Sequence, residues 1–268
     1  MSERRKSKLP PVVVKVGGAL LQEPTEALWQ GIQRVREDAP VVLVHGGGAQ
    51  ATALAERLGH TPRMVRGRRV TEDLDLQISQ YALRGALNTE LVAQAQQHDL
   101  RGVGLSGADG GLVRVTKRPP REIGGETVDF GWVGDVGRVE PEALAVLLDS
   151  GFLPIVAPLG IDADGQVYNV NADTVAGALA GALGAKQLLL VTEAGSVRRA
   201  EDDPGSRLET CDAATFEAGK EGGWIQGGMR VKLTVALDAL RGGVTETFVL
   251  GPGDLVERER ATRVVLEA

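Results

Sequence analysis

A chain of 268 residues with 43% hydrophobic and 25% charged residues carries enough apolar material for one large domain or two lobes. Its net charge of −6 and 3% aromatic content argue against the basic face and stacking platforms on which nucleic-acid binding depends. One cysteine, Cys211, allows no internal disulfide, and the three histidines, His45, His60 and His98, show no metal-ligand spacing, so no protein metal site is expected.

Residues 1–11 are basic with no apolar core behind them, and they read as a loose tail rather than a signal peptide. The longest apolar stretch, 143–161, is broken by Asp149, Gly151 and two prolines, so no membrane span is expected. These features predict a cytoplasmic protein without nucleic-acid or membrane partners.

Val12-Val13-Val14-Lys15-Val16 is apolar without alternation around a single lysine, the pattern of a strand buried on both faces of a parallel sheet. A lysine at the end of such a strand is expensive to bury unless an anion or carboxylate meets it. Gly17-Gly18 follows, and glycines let the backbone approach a ligand closely. Strand, cation and open backbone together suggest a phosphate site. Residues 26–36 place Ala27, Leu28, Ile32 and Val35 at helical spacing, and a second apolar strand, 41–44, runs into His45-Gly46-Gly47-Gly48. A helix over 51–58 then carries Ala51, Leu54, Ala55 and Leu58 on one side. Strand, glycine turn and helix, twice over, predict an α/β fold with a parallel sheet and helices on both faces. Ligands of such sheets gather at the carboxyl ends of the strands.

Arg63, Arg66 and Arg68 read as a solvated face. Residues 74–97 carry a long helical pattern through Leu76, Ile78, Leu83, Leu87, Leu91 and Val92, apolar on more than one side and a candidate dimer interface. A short strand and glycine turn occupy 103–110, and 113–117 and 127–139 read as hairpin-like insertions of short strands. A helix over 141–150 and a buried strand over 153–157 precede Tyr168-Asn169-Val170-Asn171-Ala172-Asp173, which opens a small-residue helix over 174–183. Asp173 stands where it could cap that helix. A buried strand (187–191), a charged loop (201–207), a glycine-rich turn (222–232), a helix (231–240) and a strand (247–250) complete the reading. The small-residue helix is the expected seam between two lobes.

No G-x-x-x-x-G-K-[ST] occurs, which excludes a P-loop, and no G-x-G-x-x-G follows the first strand, which argues against a dinucleotide enzyme. His45-Gly46-Gly47-Gly48 with Gly104-Leu105-Ser106-Gly107-Ala108 invites a hydrolase reading, an oxyanion-hole motif beside a near nucleophile elbow. In that fold the triad runs Ser, acid, His along the chain, whereas all three histidines here precede Ser106.

Five motifs remain, in this order: Lys15-Val16-Gly17-Gly18, His45-Gly46-Gly47-Gly48, Gly67-Arg68-Arg69-Val70-Thr71, Asn169-Val170-Asn171-Ala172-Asp173 and Gly228-Met229-Arg230-Val231-Lys232. Together they resemble the amino-acid kinase family, and within it the branch that acts on N-acetyl-L-glutamate, from residue 12 to about residue 262. The resemblance implies a three-layer αβα sandwich around a mainly parallel sheet, in two lobes. Residues 1–174 would bind the amino-acid substrate and dimerise; residues 175–268 would bind ATP. The implied reaction moves a phosphoryl group from ATP to the side-chain carboxylate of N-acetyl-L-glutamate, in arginine biosynthesis, with Mg²⁺ held mainly by the ATP phosphates.

By the family pattern Lys15 and Lys232 stabilise charge on the moving phosphoryl group, and Asp173 lies between them and holds both ammonium groups. Gly17, Gly18 and Gly46 would meet phosphate through their backbone N–H groups, and Gly47 and Gly48 the reacting carboxylate. Arg69 would grip the substrate's main-chain carboxylate, for which a bidentate guanidinium is suited, and Asn169 would orient the same end. Asn171 keeps a backbone-supporting role. Thr192, Glu193, Gly195 and Gly228 would contact the nucleotide. The chain departs from the family at Thr192-Glu193-Ala194-Gly195-Ser196-Val197, where the usual pattern is Thr-Asp-Val-x-Gly. Nothing matches the long N-terminal helix of hexameric, arginine-inhibited relatives, so a homodimer without arginine feedback is expected. Two other readings remain: a kinase for a protected 2-aminoadipate, one methylene longer, and a lapsed ligand-binding regulator on the same fold. One methylene discriminates by only about 1–3 kcal/mol. The segment Asp129-Phe130-Gly131-Trp132-Val133-Gly134 and Gly48 resemble the acetylglutamate form, and intact Lys15, Asp173 and Lys232 argue against the regulator.

Overall fold

The computed structural model describes residues 9–21, 26–200 and 202–267; the first eight residues of the basic stretch and Glu201 of the charged loop lie outside the described residues. β1 (Val12–Val16) is buried along its whole length, Lys15 included. α1 (Glu26–Asp38) turns Leu28, Trp29, Ile32 and Val35 inward, and β2 (Val41–His45) returns beside β1. α2 (Gly48–Arg57) leaves directly from the glycine turn. A small antiparallel ribbon of β3 (Met64–Val65) and β4 (Arg68–Arg69) follows.

The predicted long helix is one helical run in three parts: α3 (Asp73–Ser79), a π-helical stretch (Gln80–Leu87) and α4 (Asn88–Gln97). π geometry inside a helix accompanies functional sites more often than chance, and here it carries Leu83 and Leu87 against the glycine turn of β2. β5 (Gly102–Ser106) then enters the main sheet. β6 (Val113–Lys117), β7 (Arg121–Ile123), β8 (Glu126–Val128) and β9 (Gly134–Val139) come next, then α5 (Glu142–Asp149), β10 (Leu153–Ala157), β11 (Leu159–Ile161) and β12 (Val167–Asn169). The remaining elements are α6 (Ala172–Ala182), β13 (Gln187–Val191), β14 (Thr210–Cys211), α7 (Ala213–Glu221), α8 (Gly227–Arg241), β15 (Glu246–Leu250) and β16 (Thr262–Val264).

The main sheet has eight strands in the order β14-β16-β15-β13-β1-β2-β10-β5, parallel except where β15 meets β16. Strand alternation sorts its side chains to two faces. Val13, Val42, Val44, Leu188 and Leu190 join the core under α5, α6 and α8, while Val12, Val14, Leu43, Leu189 and Val191 join the core under α1 and α4. Helices on both faces of a mainly parallel sheet make the three-layer αβα sandwich. α6 reaches α8 closely because it is built from small residues; a Cβ on Gly177 would press on Val235.

The segments 113–117 and 127–139 are not simple hairpin insertions. β6 and β9 pair with each other, and β11 and β12 extend them into a second sheet of four strands, order β12-β11-β6-β9. Only β7 and β8 form a free-standing hairpin among these segments. The 222–232 turn is shorter than its glycines suggest, since α8 already begins at Gly227. Tertiary packing and the helix that follows override the local weakness of glycine there.

Leu189 lies fully buried in the middle of β13, between β1 and β15. Leu189→Ala is expected to cost about 2–5 kcal/mol, read as a lower urea midpoint at unchanged slope.

Candidate active site

Strand register lines up the site. Val16 stands opposite His45 on one side and Val191 on the other, so β1, β2 and β13 end in one row. The glycine turns 17–18 and 46–48 and the loop after Val191 therefore open along the same carboxyl edge of the sheet. Lys15, one residue before that edge, points into a buried cluster. Its Nζ lies 2.9 Å from Asp173 Oδ1, an ion contact without hydrogen-bond alignment. Lys232 Nζ, from the second turn of α8, donates to Asp173 Oδ2 at 3.3 Å. All three side chains are buried. Asn171, not Asp173, caps α6: its side-chain oxygen accepts the Thr174 N–H at 3.0 Å. Asp173 is thereby left to the two ammonium groups. Burial lowers the Lys15 pKa, Asp173 opposes that shift and Lys232 adds to it. Two ammonium groups against one carboxylate leave the cluster with a surplus positive charge, a fixed attraction for an anion.

The glycine turns divide the work differently from the sequence expectation. The N–H of Gly17 donates to Val191 O at 3.2 Å and that of Gly46 to Val16 O at 2.9 Å, because the strand ladder continues one residue past each strand. Those two groups cannot also cradle a phosphate. The N–H groups of Gly18, Gly47 and Gly48 have no acceptor among the described residues. Gly46 and Gly18 nevertheless have to be small: a Cβ on Gly18 would lie 2.8 Å from Gly47 N, and one on Gly46 3.0 Å from Gly18 N. Gly47 adopts φ 146°, and a Cβ there would run into Leu83 and Leu87. The turn ends at the start of α2, which has no side-chain cap, so its first N–H groups are open to an anion.

His45 pins this turn. It is fully buried, its Nδ1 donates to Gly46 O at 2.7 Å, and its Nε2 accepts from Asn88 Nδ2 at 3.0 Å. Asn88 also donates to Ile155 O at 2.9 Å, tying α4 to β10. Burial drives the His45 pKa down to about 4, with the Gly46 contact opposing and Arg84 assisting. Ser106 donates its hydroxyl to Asp109 Oδ2 at 2.8 Å, so His45 and Ser106 form no hydrolytic dyad.

A cleft of about 350 Å³ opens on the β2 side, lined by Gly48, Thr52, Arg68, Arg69, Asn169 and Val231 among others. Arg69 Nη2 donates to Thr52 Oγ1 at 2.6 Å and, more weakly, to Gly48 O at 3.4 Å; Nη1 faces Asp75 Oδ1 at 3.5 Å. Asn169 Nδ2 donates to Thr71 Oγ1 at 3.2 Å. Arg68 is exposed, as expected of a solvated face, and stands at the mouth of the same cleft. Partial desolvation, then Arg118, Arg121 and Arg230, lower its pKa against the pull of Asp135.

A second, larger cleft of about 720 Å³ opens on the β13 side, with Lys232, Gly228, Thr192 and Glu193 on its wall. Gly195 (φ 73°) turns the loop behind them and donates to Thr192 O at 3.1 Å. The N-terminus of α8 has no side-chain cap either and faces this cleft through Gly228 and Met229. Arg199 lies 5.4 Å over the Trp224 ring at its rim. The cluster of Lys15, Asp173 and Lys232 thus sits where two clefts approach each other, flanked by two uncapped helix N-termini. Sequence reading missed Thr52, Asp75, Asn88 and Trp224. Asn88 had a signal, a polar residue on the apolar side of a helical run; the others have none without the fold.

A profile of the amino acid kinase family matches residues 10–251. The chain is 43% identical over 245 residues to an acetylglutamate kinase from Methanopyrus kandleri, covering 91% of this chain and 96% of the relative. It is 43% identical over 253 residues to an acetylglutamate kinase from Anaeromyxobacter dehalogenans, covering 91% and 94%. Among solved structures, an N-acetylglutamate synthase from Neisseria gonorrhoeae complexed with coenzyme A and N-acetyl-glutamate superposes with a TM-score of 0.79 at 26% identity. That match covers 97% of this chain and 60% of the synthase.

Between pH 6.5, where an unfolded imidazole titrates, and about pH 4, the folded state binds fewer protons at His45 than the unfolded state does. Its contribution is therefore complete above pH 6.5 and is lost as pH falls. Between pH 7 and 4.5 the wild type is expected to lose about 2 kcal/mol more stability than His45→Gln in urea denaturation; parallel losses would overturn the assignment.

Proposed function

The chain belongs to the amino acid kinase family, and from that premise we infer that it transfers the γ-phosphoryl group of ATP to the side-chain carboxylate of N-acetyl-L-glutamate. The observation that carries the reading is the Asp173 carboxylate bridging Lys15 and Lys232 between two clefts, in a chain 43% identical to acetylglutamate kinases over nine-tenths of its length. The smaller cleft takes the amino acid and the larger one the nucleotide. A carboxylate oxygen attacks the γ-phosphorus, the bond to the β–γ bridging oxygen breaks, and ADP leaves with that electron pair. The nucleophile is already ionised, so no proton moves and no general base is required. Positioning and charge stabilisation are the whole of the protein's task.

In this reading Lys15 and Lys232 flank the transferring group from opposite clefts, and Asp173 keeps the two like charges from separating. Gly18, Gly47 and Gly48 donate backbone N–H groups to phosphate and reacting carboxylate, with Gly46 required for close approach and Gly17 extending the strand ladder rather than serving as donors. Arg69 and Asn169 hold the main-chain carboxylate end. Thr192, Glu193, Gly195 and Gly228 shape the nucleotide side. The division of labour falls near residue 174, within α6, although one sheet runs through both halves. Mg²⁺ enters as part of the nucleotide substrate, held by phosphates and water. Among the described residues no group of three or more His, Cys, Asp or Glu could hold a metal ion.

The named relatives favour acetylglutamate over a protected 2-aminoadipate, and the intact cluster favours turnover over a lapsed regulator. Arginine biosynthesis in the cytoplasm is the setting this activity implies; no described helix is long and apolar enough to cross a membrane. A homodimer through the α3–α4 run is supported by Leu74 and Tyr81, seven residues apart and exposed. Tyr81→Asp is expected to lower the sedimenting mass to that of one chain.

With Mg-ATP and hydroxylamine, N-acetylglutamate is expected to yield hydroxamate in preference to an N-protected aminoadipate; the reverse preference would move the substrate assignment. Lys15→Ala and Lys232→Ala are each expected to lower turnover on the order of 10²-fold or more.

A further inference from the structure

Asp75 is a buried carboxylate that no step of the phosphoryl transfer uses. It stands in the first turn of α3 at 2% exposure, and its two oxygens do different things. Oδ2 accepts the backbone N–H of Glu72 at 3.3 Å and completes a capping box. Oδ1 faces two side chains instead, His60 Nε2 at 3.1 Å and Arg69 Nη1 at 3.5 Å. A helix cap needs one acceptor oxygen and no charge beyond it. The second oxygen, buried beside a permanently charged guanidinium, is what a cap does not explain.

Arg69 is held from the other side as well. Thr52 Oγ1, on α2, accepts from Nη2 at 2.6 Å, and Gly48 O lies 3.4 Å from the same nitrogen. These contacts hold both terminal nitrogens of the guanidinium, Nη2 from α2 and Nη1 from α3, and no described side chain engages Nε. An unsupported arginine samples many rotamers and must lose them on binding. One clamped between α2 and α3 has lost them before the ligand arrives.

We propose that Asp75 is a positioning residue for the amino-acid substrate: it fixes the Arg69 guanidinium in place before the main-chain carboxylate arrives. The proposal rests on the reading of Arg69 as the carboxylate grip. Asp75 touches no substrate atom. Its effect passes through Arg69, and with Thr52 it sets the guanidinium's place relative to the open N-terminus of α2, where the reacting end of the same molecule lies.

The test is steady-state kinetics on Asp75→Asn, which keeps the shape and one acceptor for the cap. KM for N-acetylglutamate is expected to rise on the order of 10-fold, the range of one charge-assisted hydrogen bond. kcat, KM for ATP and the melting temperature should stay near wild type. In an Arg69→Ala background, Asp75→Asn should add nothing further. His60→Gln, which removes the other neighbour of Oδ1, should leave KM for N-acetylglutamate unchanged. An unchanged KM in Asp75→Asn, or losses of equal size with and without Arg69, would overturn the proposal. So would a joint shift of both KM values and the melting temperature, the pattern of a cap alone. If Asp75→Asn does not fold, Thr52→Val tests the clamp from α2 by the same double comparison: a KM rise that vanishes without Arg69 supports it, and a rise that persists overturns it. Arg69→Ala alone separates the two readings. If it leaves KM for N-acetylglutamate unchanged, the carboxylate grip itself is wrong; if it raises KM while Asp75→Asn does not, only the clamp is.

Discussion

The contact on which the site depends is the pair of ion contacts made by one carboxylate, Asp173, with Lys15 and Lys232. Two ammonium groups brought this close in a buried place repel each other strongly, since like charges at a few ångströms gain little screening away from water. Asp173 makes their approach tolerable without cancelling it. One positive charge is left over, and it lies between two clefts that each end in an uncapped helix. A site that is electrostatically incomplete when empty is complete when an anion bridges it, which is the situation of a phosphoryl group in transit.

The rest of the architecture serves that geometry. β1 and β13 are adjacent strands although 171 residues separate Lys15 from Lys186, the residue that precedes β13. Their register fixes where the first lysine ends and where the nucleotide-side loop begins. α6 delivers Asp173 from above the same sheet, and α8 delivers Lys232 by packing on α6 through small residues. The three charged groups come from three separate elements, so the cluster exists only when the sheet and both helices are assembled. Folding and site formation are the same event here.

Much of this was legible in the chain. The Val12–Val16 pattern, its lysine and the glycine pair announced a buried strand ending at a ligand, and the second glycine turn repeated the message. Helix and strand periodicity located the two-faced sheet. What escaped was what periodicity cannot carry. β14 and β16, at two and three residues, are too short to show a period. The second sheet depends on pairing β6 with β9 and then with β11, a matter of long-range contact rather than local pattern. Asp75 and Thr52 gave no sign of their connection with Arg69, because a helix-capping aspartate and a helical threonine look ordinary until α2 and α3 are set side by side.

The glycine turns show why residue type and residue role must be separated. A glycine-rich turn beside a strand suggests that every N–H in it is available, yet Gly17 and Gly46 spend theirs on Val191 and Val16. Backbone donors are claimed first by the sheet, whose ladder runs on until the chain bends away from its neighbour. Only the groups past that bend are free for a ligand, so the length of the strand sets the start of the binding turn. Gly46 must still be a glycine for a steric reason, since its turn passes within van der Waals distance of Gly18 in the other. One residue type therefore answers two demands in adjacent positions, close packing first and open N–H groups immediately after. His45 and Asn88 hold the bend where that change occurs, which gives a fully buried, uncharged histidine a part in the site without any part in the chemistry.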